Sequence, residues 1–194
     1  MSNPGPGKVP QVVALTGLPA SGKSTLGMLL ATSLGYPFFD KDTFLEVLFE
    51  RKRPSGVATR ISLSREADIA FEAEARKATS AVVASWWRHP KSTLESGTPP
   101  WWLHAPVNQV VEVHCECRPE EATRRFMGRT RHAGHVDGRW RAPELLAMLA
   151  EQSALGPLLG HRAIVCNTQA ASTSAQVAAL AQLIASRLVL ASGA

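Results

Sequence analysis

The sequence predicts an α/β fold, a parallel sheet covered by helices on both faces. Apolar runs that read as strands alternate with helix-like stretches along 194 residues, the order that builds such sheets. The first run, "VVAL", leads into a glycine-rich turn, "GLPASGKST", and that turn opens a helix-like stretch, "LGMLLATSL". Neither an internal repeat nor a low-complexity linker interrupts the chain. The expected organisation is therefore a loose tail over residues 1–8 and one domain over 9–194.

The first strand is expected at residues 11–16 and the first helix at 23–34, closed by Gly35, since glycine tolerates the left-handed cap position. "YPFFD" (36–40) reads as a short second strand. Asp42 or Thr43 would cap a helix running to Lys52, and "RPSG" (53–56) would break it. Residues 64–87 form an Ala-rich helix candidate, because Ala67, Phe71, Ala75, Ala78 and Val82 recur at spacings of three or four. "STLES" (92–96) is a weak third strand and "QVVEVHCEC" (109–117) a strong fourth. Pro119 opens a helix reaching Arg131, the loop "HAGHVDG" follows, and residues 143–152 are helical. "RAIVCN" (162–167) is the fifth strand and 175–190 the last helix.

Hydrophobic residues make up 45% and charged residues 19%, which suits one domain with a substantial core and argues against global disorder. No apolar run approaches the roughly 20 residues that span a bilayer. The first residues, "MSNPGPGK", lack the basic-then-apolar order of a signal peptide. Three cysteines, Cys115, Cys117 and Cys166, without paired spacing fit a reducing cytoplasm and inert core thiols. The net charge of +5 is compatible with nucleic acid. However, seven arginines against three acids gather between Arg118 and Arg141, and such a local cluster equally suits one polyphosphate.

"GLPASGKST" matches G-x-x-x-x-G-K-[ST] at Gly17, Gly22, Lys23 and Ser24. Its glycines let the backbone of Gly17, Pro19, Ala20, Ser21 and Gly22 curl so that N–H groups and the helix N-terminus face phosphate. Lys23 brings a charge to the β- and γ-phosphates, Ser24 a hydroxyl ligand for Mg²⁺, and Thr25 a further hydrogen bond. This is the phosphate loop of a P-loop NTPase three-layer sandwich. Guanine switches would add N-K-x-D, yet "NTQA" (167–170) lacks its lysine and aspartate. Motor and transport ATPases would add a strand ending in paired acids, which is absent. A compact kinase-like chain remains.

Such a kinase needs a base, a metal-side acid and mobile arginines. "FFDKDTF" (38–44) lies just past the second strand, where strand ends face the ligand crevice, so Asp40 and Asp42 both qualify as the base. Asp42 is favoured, although it could instead cap the helix. Glu95 in "TLESGTPP" (93–100) could hold a Mg²⁺-bound water or position the acceptor. In "RPEEATRRFMGRTRH" (118–132), Arg125 and Arg129 lie four apart on one helix face and are the pair favoured to stabilise the transferring group; Arg124 and Arg131 share a face loosely.

Together with "VVEVHCECRPEEATRRF" and "RHAGH", these stretches resemble the stand-alone P-loop kinases of small molecules, a group that includes chloramphenicol phosphotransferase, the zeta toxins and many AAA-like bacterial ATP-binding kinases. The likeness runs from Val12 to Asn167. It implies a five-stranded parallel sheet of order 2-3-1-4-5 with an arginine-bearing lid, here about 124–142, between the fourth and fifth strands. It implies ATP, Mg²⁺ and a hydroxyl acceptor, with the second acid of "D-x-D-T-F", Asp42, as base. It also implies that adenine lies by Asn167 and Thr168. Many relatives carry Asp where Glu95 stands.

The acceptor-side helices, about 42–90, carry no acceptor signature. Trp86, Trp87, Trp101 and Trp102 form two pairs that could wall a planar or sugar-like acceptor, Trp101 included, although core filling is expected for at least one of each pair. Arg51, Lys52 and Arg53 could meet an anionic acceptor. His132 and His135 lack further ligands at zinc spacing and suit a lid hinge or a phosphate contact. The expected activity is ATP-dependent transfer to a hydroxyl of an antibiotic, nucleoside or sugar-like molecule. A polynucleotide 5′-hydroxyl kinase and a nucleotide-binding regulator or weak ATPase stay open as alternatives, and so does a homodimer.

Overall fold

The computed structural model describes residues 10–54, 56–105, 109–130, 132–135 and 140–192. The expected tail, Arg131 and most of the "HVDG" stretch lie outside them. Five strands form one parallel sheet: β1 (Gln11–Gly17), β2 (Phe38–Asp40), β3 (Ser80–Ala84), β4 (Gln109–Glu116) and β5 (Ile164–Asn167). Their order is β2-β3-β1-β4-β5, as the resemblance implied. The helices are α1 (Lys23–Leu34), α2 (Lys41–Lys52), α3 (Val57–Lys77), α4 (Pro119–Gly128), α5 (Ala142–Ala154) and α6 (Ser174–Ser192). Among the described residues no helix is long and apolar enough to cross a membrane.

The two-residue period of β1 divides the core. Val13 and Leu15 pack with Val113 and Cys115 of β4 against Leu26 and Leu30 of α1 and Ile184 of α6. Val12 and Ala14 point the other way, into Phe71, Val83, Trp87 and Trp102. A third cluster packs Leu18 of the phosphate loop against Ala122 and Phe126 of α4 and Leu145 and Leu149 of α5. Burial pushes the Cys115 thiol up to about 12, which leaves it inert.

Three expectations differ from the structure. The long helix of 64–87 is a helix that ends at Lys77 followed by the true third strand, "SAVVA", while "STLES" is irregular. Ala67, Phe71 and Ala75 do form the buried helix face, but Val82 pairs with Val13 of β1. A central parallel strand is buried on both faces and carries no alternation, so helical spacing absorbed it. The α2 cap is the second correction: Asp40, not Asp42 or Thr43, accepts the N–H of Asp42 at 3.0 Å. The helix after Pro119 is also shorter than expected, ending at Gly128, so Arg129 stands outside it.

Glu112 is a charge inside an apolar strand, and its surroundings explain it. Its side chain is wholly buried and accepts hydrogen bonds from the Thr16 hydroxyl at 2.5 Å and from the N–H groups of Leu158, at 2.7 Å, and Leu159. It thereby ties the connection after α5 to β4. Glu112→Ala would orphan three donors at about 1–3 kcal/mol each, so we expect a loss of about 3–9 kcal/mol in urea denaturation. Glu112→Gln should lose less. Equal stability of Glu112→Ala and the native chain would refute the tie.

Candidate active site

The phosphate loop is built by backbone geometry. Gly17 (φ 121°) and Gly22 (φ 98°) occupy conformations that favour glycine, and Ala20 (φ 61°) is one of two described non-glycine residues at positive φ. Gly17 also has no room for a side chain, since a Cβ there would lie 2.4 Å from the Cys115 carbonyl oxygen. Lys23 is buried, and its Nζ donates to the carbonyls of Gly17 at 3.0 Å and Leu18 at 2.6 Å. The loop thus encloses a cation on its own carbonyls, in the place where the motif needs one for phosphate. Burial lowers the Lys23 pKa; Cys115, Asp40 and Asp42 oppose that shift, and Arg129 adds to it. Both acids and Arg129 are therefore within electrostatic reach of Lys23. Ser24 and Thr25 begin α1 with exposed side chains.

Asp40 and Asp42 divide the space beside that lysine. Burial raises the Asp40 pKa above the usual carboxylate value, and the Ser24 hydroxyl, hydrogen-bonded to the carboxylate, counteracts it. Asp40 thus sits with the hydroxyl expected to bind Mg²⁺, and Asp42 follows in the first turn of α2. That turn is braced. Lys41 Nζ donates to Ser64 Oγ at 2.7 Å and lies 3.9 Å from Asp68 Oδ1. Asp68 in turn accepts from Thr98 Oγ1 at 2.7 Å, and Thr98 meets Ser85 Oγ at 2.5 Å, just past β3. Sequence reasoning missed this brace; its signals were an acid between Ala67 and Phe71 and a serine closing "AVVAS".

Arg125 and Arg129 are separated. Arg125 donates from Nε to Glu121 at 2.7 Å, from Nη1 to the Thr168 carbonyl at 2.9 Å and from Nη2 to the Gln169 carbonyl at 2.6 Å. It clamps the turn after β5, where Asn167 Oδ1 accepts the Gln169 N–H at 2.9 Å and buried Thr168 donates its hydroxyl to Glu116 O at 3.0 Å. An open cavity bounded by Asn167, Gln169, Ala170, Ser172 and Gln176 adjoins this turn. A Cβ on Gly22 would lie 3.7 Å from Thr168 Cβ, so the turn flanks the phosphate loop. Arg129 lies over the Phe126 ring at 4.9 Å. The next segment docks on the acceptor-side helices: His132 pairs with Glu50 at 2.8 Å, His135 with Glu46 at 2.9 Å, and Arg60 donates to Gly134 O.

The remaining candidates scatter. Glu95 is exposed in the irregular stretch, and the strand-end position expected for it belongs to Ser85. Arg53 caps the far end of α2, about 16 Å along the helix from Asp42 at 1.5 Å per residue. Trp101 is 59% exposed, with the Arg76 guanidinium 5.8 Å from its ring. Trp102 is core, and so is Trp87, whose Nε1 donates to Leu15 O at 2.8 Å. Trp86 alone of the four lines a cavity without filling the core. That cavity lies at the carboxyl ends of β1, β3 and β4, beside Gly17 and Leu18, and is completed by His89, His114, Gln152 and Ser153.

Comparison with known proteins places this architecture. A candidate kinase from Chloroflexus aurantiacus J-10-fl superposes with a TM-score of 0.71 at 25% identity, over 92% of this chain and 98% of that one. The chain has the fold of the P-loop kinases. Other P-loop kinase structures share it, including shikimate kinase from Bacteroides thetaiotaomicron (TM-score 0.57, 16% identity, 92% and 98% covered). A gluconokinase from Sinorhizobium meliloti 1021 does so as well (TM-score 0.53, 19% identity, 93% and 94% covered). The family model for shikimate kinase matches residues 19–84, from the phosphate loop through both acids to the end of β3. Curated P-loop kinases match locally: shikimate kinase of Chlorobium chlorochromatii (strain CaD3) is 56% identical over 39 residues, a fifth of either chain (20% and 20%). Cytidylate kinase of Chloroflexus aggregans (strain MD-66 / DSM 9485) is 51% identical over 41 residues, covering 21% of this chain and 18% of that protein. These likenesses carry the small-molecule P-loop kinase group and do not single out chloramphenicol phosphotransferase or the zeta toxins.

Proposed function

We propose that this protein is an ATP-dependent phosphotransferase that moves a γ-phosphate to a hydroxyl of a small molecule, with Asp42 as general base. The observation that carries the reading is the phosphate loop itself, with Lys23 Nζ held on the Gly17 and Leu18 carbonyls and Asp40, hydrogen-bonded by Ser24, beside the start of α1. The names of the similar proteins, shikimate kinase, gluconokinase and cytidylate kinase, support a small-molecule acceptor.

The residues present fit nucleotide and metal. The loop already holds a cation on its carbonyls, and Ser24 pairs with a carboxylate as a hard-metal site requires. Bound ATP supplies the phosphoryl group, and Mg²⁺, held by Ser24 and Asp40, neutralises part of its charge. Lys23 would supply the charge that meets the β- and γ-phosphates. Asp42 orients the acceptor hydroxyl and takes its proton. Arg129 stabilises negative charge on the transferring group, while Arg125 positions the turn at Asn167 and Thr168 for the base. The test is an acceptor screen with γ-labelled ATP, read by a mass gain of one phosphate. ADP release that no hydroxyl compound stimulates would sink the proposal.

Asp40 gives a pH prediction. Its folded pKa is raised, so its contribution favours the fold below the ordinary 3.8 and is lost as pH rises through the folded value. Asp40→Asn keeps the helix cap and removes the buried charge. Without metal, the variant should melt higher than the native chain at neutral pH, and the gain should fade on acidification towards that ordinary value. It should also lose the stabilisation that Mg²⁺ gives the native chain. A Mg²⁺ response equal in both proteins would refute the metal assignment.

A further inference from the structure

We infer that the cavity beside Gly17 and Leu18 is the acceptor's recognition pocket, that it takes a neutral, hydroxyl-bearing group, and that His114 Nε2 is its selecting atom. This rests on the kinase reading for the word acceptor, though not for the binding chemistry.

The argument starts from one proton. Thr16 Oγ1 is 2.5 Å from Glu112 Oε1 and 3.0 Å from His114 Nδ1. The Glu112 oxygens also accept the N–H groups of Leu158 and Leu159, so this side chain acts as an acceptor on every side. Thr16 has a single hydroxyl proton, and Glu112 takes it. The Thr16 oxygen must then accept from His114, which places the imidazole proton on Nδ1 and leaves a bare lone pair on Nε2. Burial lowers the His114 pKa, ahead of the opposing pull of Glu112, which keeps the ring neutral. Among the described residues Nε2 has no hydrogen-bond partner, and His114 lines the cavity.

The rest of the lining agrees. Gln152 Oε1 is engaged by the Ser92 hydroxyl at 3.2 Å, which turns its amide N–H groups to other partners. An acceptor at His114 and a donor at Gln152 complement a hydroxyl, which both donates and accepts. Trp86 offers an apolar face for a carbon ring or chain. Neither lysine nor arginine lines the cavity, whose one acidic wall is Glu116; the neighbouring cation, Lys23, is already engaged by the Gly17 and Leu18 carbonyls, so a carboxylate or phosphate is disfavoured there. The cavity volume is ≈ 90 Å³. That accommodates one end of a small polyol next to the carbonyls that hold Lys23.

Two measurements on the full chain test this. The first is ¹H–¹⁵N correlation of the histidine rings, with His114→Asn to assign the signal. The Nδ1–H tautomer with unprotonated Nε2 is expected, and the opposite tautomer overturns the inference. The second is binding of myo-inositol and glucose against gluconate, followed by Trp fluorescence and ring shifts. The neutral pair should bind, gluconate should bind at least about tenfold more weakly, and His114→Asn should weaken the neutral pair roughly tenfold. The asparagine amide can still donate to Thr16, so melting should stay close to native; a circular dichroism melt confirms it. No binding by the neutral pair, or equal binding by the folded variant, overturns the inference. Phosphoryl transfer that ignores His114→Asn sinks this inference and leaves the kinase standing. Polyol binding that depends on His114, with no transfer to any acceptor, does the reverse.

Discussion

Asp42→Asn is expected to lower phosphoryl transfer by about 10²–10⁴-fold, the usual worth of a positioned general base, while nucleotide affinity stays within about twofold. The substitution keeps the shape of the side chain and removes its capacity to take a proton. Because Asp40 supplies the α2 cap, the helix start should survive the change. Lys23, Ser24 and the loop backbone, to which nucleotide binding is assigned in the proposed function, are untouched. Single-turnover transfer and calorimetric titration with ATP measure the two halves separately. Turnover at the native rate would remove Asp42 as base and move the role to Asp40. A parallel loss of ATP affinity would instead mean that Asp42 acts through the Lys23 charge, with which it interacts.

Gly17→Ala is expected to abolish nucleotide binding and to destabilise the fold by about 2–6 kcal/mol, summing backbone strain with overpacking. A methyl group at φ 121° would meet the Cys115 carbonyl oxygen at 2.4 Å, and backbone in a central strand has little freedom to retreat. The displaced loop would also move the two carbonyls that hold Lys23. Urea denaturation and ATP titration read both effects. Native stability together with native affinity would show that the loop closes in some other way. Gly22→Ala makes a useful contrast: its Cβ would have ordinary contact distances, 3.7 Å to Thr168 Cβ, so strain alone remains.

The elements that a short window of sequence describes were legible. β1, α1 and the Gly35 cap follow from a strand, a turn and a helix met in direct succession. The third strand was not legible. "SAVVA" is apolar at every residue but one, and its Val82 lies at helical spacing from Ala78. Only its pairing with β1 on one side and β2 on the other separates it from the helix before it. That single misplacement carried Glu95 to a strand end it does not occupy. Among the tryptophans, sequence spacing treated each pair alike. Packing sends Trp87 and Trp102 into the core, leaves Trp101 at the surface and turns Trp86 to the cavity.

By itself, the sequence determined the phosphate-loop half of the proposed site. Nine consecutive residues, 17–25, carry the backbone geometry, the cation and the hydroxyls for phosphate, and a pair of acids follows one strand later. Such a motif needs no distant partner to be read, because its conformation is set by its own glycines and by the helix it opens. The proposed acceptor pocket was decided by tertiary structure alone. Thr16, His114, Gln152 and Trp86 come from β1, β4, α5 and the segment after β3, far apart in the chain. Neither their shared cavity nor the tautomer of His114 exists until parallel pairing brings β1 and β4 side by side.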